Sequence, residues 1–314
     1  MSLTVGIDLG EHTIRIALPE DGIVLREPNI AAVDGEGYVV AVGTEALLTE
    51  GRSPAAVTLR RPIHKNRVTD FALLAETLDA FLGKTVRGKI RRALVTVKQS
   101  VRGDDREQIA AALYDCYVNQ TDFLTAPHAV GVQTDLSNGL IVCDIGHSGI
   151  EVSYLRDHEL YRSDLYPAGG READRNLNLF LHRKYGLSAP GRAITDAKRA
   201  LSLLSCDPSS VYPISGVYTM TGLPKTVGLS AEDLLSCLSP MIDGTVQAIE
   251  NTLSTLPRQG NAAATADQIL LVGAGAEIPG LADRVSEMIG RSVEVAEEPA
   301  DAMIRGVYSQ IITR

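Results

Sequence analysis

The chain has 314 residues, 45% of them apolar and 22% charged, which excludes a disordered polymer and exceeds one small core, so two lobes are expected. Lys and Arg number 30 against 39 Asp and Glu, a formal net charge of −9 that argues against a general nucleic-acid-binding surface. Cys116, Cys143, Cys206 and Cys237 are scattered without metal-ligand spacing, so neither structural zinc nor a disulfide framework is expected, and the reading is cytosolic.

In chain order, the first half opens with short strands at residues 4–9, 13–18, 30–33 and 38–42, the last two joined across Gly35-Glu36-Gly37. Apolar residues at helical spacing predict a helix over 71–82 and another over 104–117, with a strand at 92–98 between them. A strand-like Phe123-Leu124 and a small-residue helix over 126–132 close this half.

The second half restarts at Gly139. A strand pair at 141–155 is followed by Gly169-Gly170, which introduces a helix running to Tyr185, and a further helix is expected over 194–204. A polar hairpin spans 212–228, and Ser230-Ala231-Glu232-Asp233 reads as the capped start of a long helix ending near Leu256. A small, polar linker covers 258–266. The apolar strand 268–272 then meets Gly273-Ala274-Gly275, a turn that opens a helix near Ile278-Pro279-Gly280.

Two segments match each other: Val5-Gly6-Ile7-Asp8-Leu9-Gly10 and Ile141-Val142-Cys143-Asp144-Ile145-Gly146. Each is an apolar run broken by Asp and Gly and followed by a second strand. Glycine lets a turn bring its amides near an anion, while a neighbouring carboxylate suits a hydrated divalent cation. Facing one another, two such turns would clamp a nucleotide polyphosphate and its magnesium.

These segments, with Gly169-Gly170 and Leu271-Val272-Gly273-Ala274-Gly275, resemble the nucleotide signatures of actins, sugar kinases and heat-shock chaperone ATPase domains. Within that superfamily the chain resembles the bacterial actins of the MreB type. Four stretches carry the likeness across nearly the whole chain: Gly22 to Ile30 with Glu27-Pro28, Arg61-Pro62-Ile63 with Val68 to Phe71, Thr221 to Thr226, and Val295 to Pro299 with Arg305-Gly306.

The resemblance implies an α/β actin-like fold of two duplicated lobes, each with a small inserted subdomain, and a nucleotide cleft between them. It implies a first lobe over 1–138 with its insertion near 28–65, a second over 139–290 with its insertion near 186–228, and a C-terminal segment, 291–314, returning to the first. ATP or ADP with Mg2+ and self-assembly into filaments follow as expectations, in cell shape or intracellular organisation. Asp8 and Asp144 would hold the magnesium through water. Gly10, Glu11, His12, Gly146, His147, Ser148, Gly149, Gly169 and Gly170 would surround the phosphates and sugar. Lys198, Arg199 and Ser202, with Gly273, Ala274 and Gly275, would meet the adenosine; as plain sequence, without the resemblance, Lys198 and Arg199 read as a solvent-facing helix pair.

Three departures bear on chemistry. Glu11-His12 replaces the Thr and small polar residues that the family places after Asp-Leu-Gly. Facing a triphosphate at ~4 Å and an effective dielectric near 20, Glu11 would repel it by about 4 kcal/mol, so it either points away or helps hold the cation. Ala126, before Pro127, stands where bacterial actins carry the glutamate that orients the attacking water, and alanine has no acceptor for that task. His147-Ser148-Gly149-Ile150 replaces glycines followed by threonines; His128 and His147 are candidates to assist instead.

Together these departures predict slow or absent hydrolysis. Alternatives are a non-polymerising pseudo-ATPase regulator of the same fold, a small-molecule kinase and a chaperone. The kinase lacks a convincing acidic base beyond the two aspartates, and no peptide-binding domain follows Arg314. No apolar run reaches the ~20 residues needed to span a bilayer, and residue 4 already begins a strand. Membrane contact would therefore be peripheral, through the basic stretch 84–92, where Val86 and Ile90 are the only apolar residues among Lys84, Arg87, Lys89, Arg91 and Arg92.

Overall fold

The computed structural model describes residues 3–49, 57–134, 136–137, 139–203, 210–256, 258–259, 262–263 and 268–312. Cys206 and most of the linker 258–266 lie outside the described residues. The elements run β1 (Leu3–Leu9), β2 (Thr13–Leu18), β3 (Gly22–Pro28), β4 (Ala31–Val33), β5 (Val39–Val42), α1 (Thr44–Leu48), β6 (Thr58–Arg60), β7 (Ile63–His64), β8 (Arg67–Val68), α2 (Phe71–Thr85), β9 (Ile90–Val97), α3 (Gly103–Asp115), β10 (Gln120–Thr125) and α4 (Ala126–Gly131). There follow β11 (Leu140–Ile145), β12 (Ile150–Arg156), β13 (Glu159–Tyr166), α5 (Gly170–Tyr185), β14 (Leu187–Ser188), α6 (Gly191–Ala200), β15 (Val211–Tyr218), β16 (Pro224–Ser230) and α7 (Ala231–Ser254). The chain finishes with β17 (Arg258–Gln259), β18 (Ala262–Ala263), β19 (Gln268–Val272), a 3-10 turn at Ala274–Glu277, α8 (Leu281–Ile289), β20 (Glu294–Val295), a second 3-10 turn at Pro299–Asp301 and α9 (Ala302–Ile312).

Two compact units result, residues 1–135 with 301–314, and residues 136–300. Each is built on a five-stranded sheet of the same design. In the first the order is β10-β9-β1-β2-β3, in the second β13-β12-β11-β19-β20. β1 pairs antiparallel with β2 and parallel with β9, just as β11 pairs antiparallel with β12 and parallel with β19. The matched Asp-x-Gly segments therefore occupy the same central strand of both sheets. Each unit also carries a small three-stranded sheet, β5-β4-β6 in one and β14-β15-β16 in the other.

Strand alternation explains how the first sheet is covered on both faces. Val5, Ile7 and Leu9 point into a core with Leu74, Leu78 and Phe81 of α2 and Ile109 and Leu113 of α3. On the opposite face Ala17 and Leu94 meet Ile304, Val307 and Ile311 of α9, so the C-terminal helix completes this unit. All six residues of β11 are buried, the pattern of a strand covered on both faces, and its odd-numbered residues join Leu177, Leu181, Leu238 and Ile249 in the second core.

Local signals place the helices. Asp70 caps α2 by accepting from the N–H of Leu73 at 3.0 Å. Ser230 and Asp233 form a reciprocal capping box at the start of α7, where the sequence predicts a capped start. Gly186 ends α5 at φ 63°, a left-handed C-cap.

Several elements differ from the sequence expectation. β3 and β13 are edge strands with mixed burial, so neither shows the alternation that marks a strand. α6 starts at Gly191 and stops at Ala200, because Leu201 has already turned to extended backbone. The glycine turn after β19 winds first into a 3-10 turn, and α8 begins only at Leu281, beyond Gly280 in the left-handed region at φ 82°.

Candidate functional site

In the first unit the β1–β2 turn closes with the N–H of Gly10 donating to the carbonyl of Thr13 at 3.1 Å. Its carbonyls are gathered on one side. Asn29 Nδ2 donates to the carbonyl of Gly10 at 2.9 Å, and Arg61 Nη1 donates to those of Glu11, His12 and Asn29 at 3.3, 3.2 and 3.0 Å. Burial pushes the Arg61 guanidinium below its ordinary value, an effect that the Glu11 carboxylate partly offsets. His12 Nδ1 lies 3.1 Å from the Thr13 hydroxyl.

Glu11 turns away into the β7–β8 hairpin. Its side chain is 3% exposed, Oε2 accepts from the N–H of Lys65 at 2.7 Å, and Oε1 lies 3.6 Å from His64 Nδ1. Lys65 and Asn66, at φ 51° and 58°, make the two-residue turn of that hairpin, a conformation that residues with side chains adopt only at a cost. The carboxylate thus anchors a strained turn.

Asp8 is directly opposite Arg15 across the β1–β2 pair. Arg15 Nη1 donates to Asp8 Oδ2 at 3.0 Å and Arg15 Nε to Asp301 Oδ1 at 2.7 Å, while Arg26 Nε reaches Asp301 Oδ2 at 2.7 Å. Burial alone would lower Arg15, but the two carboxylates outweigh it and hold its pKa raised. Burial likewise would raise Asp301, yet hydrogen bonds from Arg26 and Arg15 hold it below the usual carboxylate range. Two acids and two guanidinium groups make this cluster electrically balanced.

That balance bears on the magnesium implied by the sequence resemblance. Asp8 already pairs one oxygen with a permanent cation. A divalent cation at Asp8 would therefore meet a carboxylate whose charge is already compensated.

In the second unit, the expected residues form one connected set. The β11–β12 turn closes with Gly146 N–H on the carbonyl of Gly149 at 3.1 Å, and it docks on the start of α5: the N–H groups of Gly170 and Arg171 donate to the carbonyls of Gly146 and His147, both at 2.9 Å. A Cβ on Gly169 would fall 2.5 Å from the Gly149 nitrogen, so only glycine permits this approach. Gly170 thus commits its amide to the turn rather than leaving it for a ligand.

The β19 turn lies against the end of β11. Gly273 has φ 83° and ψ 164°, a region open essentially to glycine alone, and a Cβ there would sit 2.4 Å from Asp144 Oδ1. Its N–H donates to the carbonyl of Pro299 at 2.7 Å. A Cβ on Gly275 would come within 2.2 Å of the Ile145 side chain. Asp144 is buried.

Lys198 and Arg199 are drawn to neighbours within the unit. Lys198, buried on α6, pairs with Asp174 of α5, and Arg199 Nη2 lies 2.8 Å from Glu277 Oε2 on the 3-10 turn beyond Ala274. Ser202 follows the end of α6. These ion pairs join α5, α6 and the Gly273–Gly275 turn.

Ala126 is buried at the first position of α4 with Pro127 behind it. Two residues on, His128 Nδ1 lies 2.6 Å from the Thr125 hydroxyl, and burial lowers the pKa of its imidazole.

Arg15, Asn29, Arg61, Asp174, Glu277 and Asp301 escape the sequence reading. Only Arg15 left a usable signal: it stands two residues after Thr13, as Asp8 stands two before Gly10, so a hairpin closed between Gly10 and Thr13 places them opposite.

A model of the MreB/Mbl protein family matches residues 2–313. The chain belongs to the MreB/Mbl family. The cell shape-determining protein Mbl of Bacillus subtilis (strain 168) is 26% identical over 312 residues, covering 96% of this chain and 93% of Mbl. The cell shape-determining protein MreB of Escherichia coli (strain K12) is 25% identical over 323 residues, covering 96% and 91%. Among solved structures, MreB5 of Spiroplasma citri bound to AMPPNP superposes with a TM-score of 0.85 at 17% identity, over 98% of this chain and 95% of MreB5. The MamK double helical filament gives 0.84 at 18% identity, over 99% and 98%. These likenesses establish the actin-like fold for this MreB/Mbl member.

Proposed function

We propose that this MreB/Mbl-family chain binds ATP or ADP, polymerises into filaments in the cytoplasm, serves cell shape or intracellular organisation, and hydrolyses nucleotide slowly or not at all. The observation that carries the reading is the repeated central hairpin. Each unit sets the same Asp-x-Gly turn at the same place in the same sheet, and each braces it with dedicated partners: Asn29 and Arg61 around Gly10, and Gly169, Gly170 and Gly273 around Gly146 and Asp144. Turn architecture conserved through a duplication, with glycines where backbones approach most closely, supports phosphate-facing turns.

Support for nucleotide comes also from the structural likeness to an AMPPNP-bound MreB5, and support for assembly from the likeness to a MamK filament. The phosphate-facing residues under this reading are Gly10 and His12 in the first unit and Gly146, His147, Ser148, Gly149 and Gly169 in the second, with Gly170 bracing that turn from the start of α5. Asp144 stands beside the second of these turns, and Lys198, Arg199, Ser202, Gly273, Ala274 and Gly275 lie toward the nucleoside end. Glu11 supports its turn from behind. Slow chemistry rests on Ala126, which offers no acceptor to an attacking water.

Pelleting and negative-stain microscopy of the purified protein with ATP, ADP and no nucleotide test the reading. Filaments whose amount or shape depends on nucleotide are expected; single subunits under all conditions, at high concentration, would favour a non-polymerising pseudo-ATPase of the same fold, the second reading that Ala126 leaves standing.

Lipid contact under this reading rests on a reduced set of charges in residues 84–92. Ile90 is buried in the first core with Val86 packed against it, Lys84 pairs with Glu45 and Arg92 with Asp122. No helix among the described residues is long and apolar enough to cross a membrane.

A further inference from the structure

We propose that Arg15 takes over, in the first unit, the electrostatic task of a divalent cation, so that nucleotide binding by this chain does not depend on Mg2+. The inference rests on the reading that the chain binds nucleotide.

Asp8, on β1, stands two residues before Gly10. A bare carboxylate two residues before a phosphate-facing turn would repel the phosphates, and a bound cation is one way to cancel that charge. Here the carboxylate meets a guanidinium instead. Arg15 is the cross-strand partner of Asp8 and its Nη1 lies 3.0 Å from Asp8 Oδ2, with the two side chains 12% and 13% exposed. A guanidinium stays protonated at any working pH, so this compensation is permanent.

The guanidinium is also fixed in place. Its Nε holds Asp301 Oδ1 at 2.7 Å, and Asp301 is gripped from its other oxygen by Arg26 at 2.6 Å. Asp301 ends the 3-10 turn that leads into α9, so the arginine is braced between the central hairpin and the C-terminal helix. A dication approaching Asp8 would meet a positive group that cannot lose its charge and has no slack to withdraw. Both features weaken cation binding at Asp8 and leave the turn neutral without it.

Titration calorimetry of ADP and ATP binding to the full-length protein, in Mg2+ and in EDTA, tests this. The wild type is expected to keep its affinity within about threefold on magnesium removal. Arg15→Gln, with the Asp8 charge exposed, is expected to lose at least about tenfold in EDTA and to recover with Mg2+, while Arg15→Lys, which keeps the charge, stays nearer the wild type. A wild type that loses tenfold or more in EDTA overturns the inference and leaves the nucleotide reading intact. No binding in either buffer overturns the nucleotide reading and this inference with it. The wild-type comparison stands even where a variant fails to fold.

Discussion

The carboxylate of Glu11 accepts a hydrogen bond from the backbone N–H of Lys65 at 2.7 Å, tying the β1–β2 turn to a separate hairpin 54 residues away. A residue that looks hostile to phosphate is thereby an anchor. Glu11→Ala removes a charged acceptor from a strained turn and is expected to cost about 1–3 kcal/mol by chemical denaturation, while Glu11→Gln retains an acceptor and most of the stability. Nucleotide affinity of Glu11→Gln should stay within about threefold of wild type, and a gain of tenfold or more would show the carboxylate facing phosphate after all.

Hydrolysis is the next expectation. Phosphate release by the wild type should be slow or absent even when filaments form. Ala126→Glu supplies an acceptor at the first position of α4 and is expected to raise release by about tenfold or more, provided melting shows the variant folded at this buried site. Brisk wild-type turnover coupled to assembly would contradict the role given to Ala126.

Gly273 couples backbone conformation to the Asp144 side chain. Gly273→Ala adds a Cβ 2.4 Å from Asp144 Oδ1 in a conformation nearly closed to alanine, and is expected to cost more than about 2 kcal/mol. Gly22→Ala is the control, since Gly22 also has positive φ, 74°, but open space around it, and about 1 kcal/mol is expected there. Equal losses in denaturant titrations would mean that contact with Asp144 has no part in the effect.

The pH profile has a sign. Burial lowers the pKa of His128, so between that lowered value and the ordinary ~6.5 the unfolded chain binds more protons than the folded one. Stability contributed by the neutral imidazole is present above ~6.5 and is lost as pH falls through this window. His128→Asn should flatten the fall in melting temperature between about pH 7.5 and 5; superimposable profiles would remove His128 from the account.

Lipid binding by the basic stretch should be purely electrostatic, because Ile90 is committed to the core. Pelleting with anionic vesicles is expected to decline steeply between about 50 and 300 mM salt, and Arg87→Ser with Lys89→Ser to abolish what remains. Salt-indifferent pelleting would point to apolar insertion.

Much of this molecule was legible before any coordinate. The Asp-x-Gly turns, the duplication and the capped start at Ser230 are local signals, written within a few residues and read from alternation, glycine and capping chemistry. Partnerships were harder. Asp301 lies 286 residues from Arg15, and Glu277 nearly eighty from Arg199, so nothing in either neighbourhood announces the pair. The commitment of Gly170's amide to Gly146 was hidden for a different reason: a glycine in a tight approach reads the same whether it faces a ligand or another turn. Edge strands β3 and β13 eluded the reading because exposure on one side blurs the alternation that betrays a central strand.

The packing of α9 on β1 and β2 has a consequence for synthesis. The sheet that opens the chain cannot cover its second face until Ile304, Val307 and Ile311 have been translated, and the whole of the other unit is made in between. At ordinary elongation rates that leaves Ala17 and Leu94 bare on a nascent chain for on the order of ten seconds or more. The first unit to begin is therefore the last to be finished.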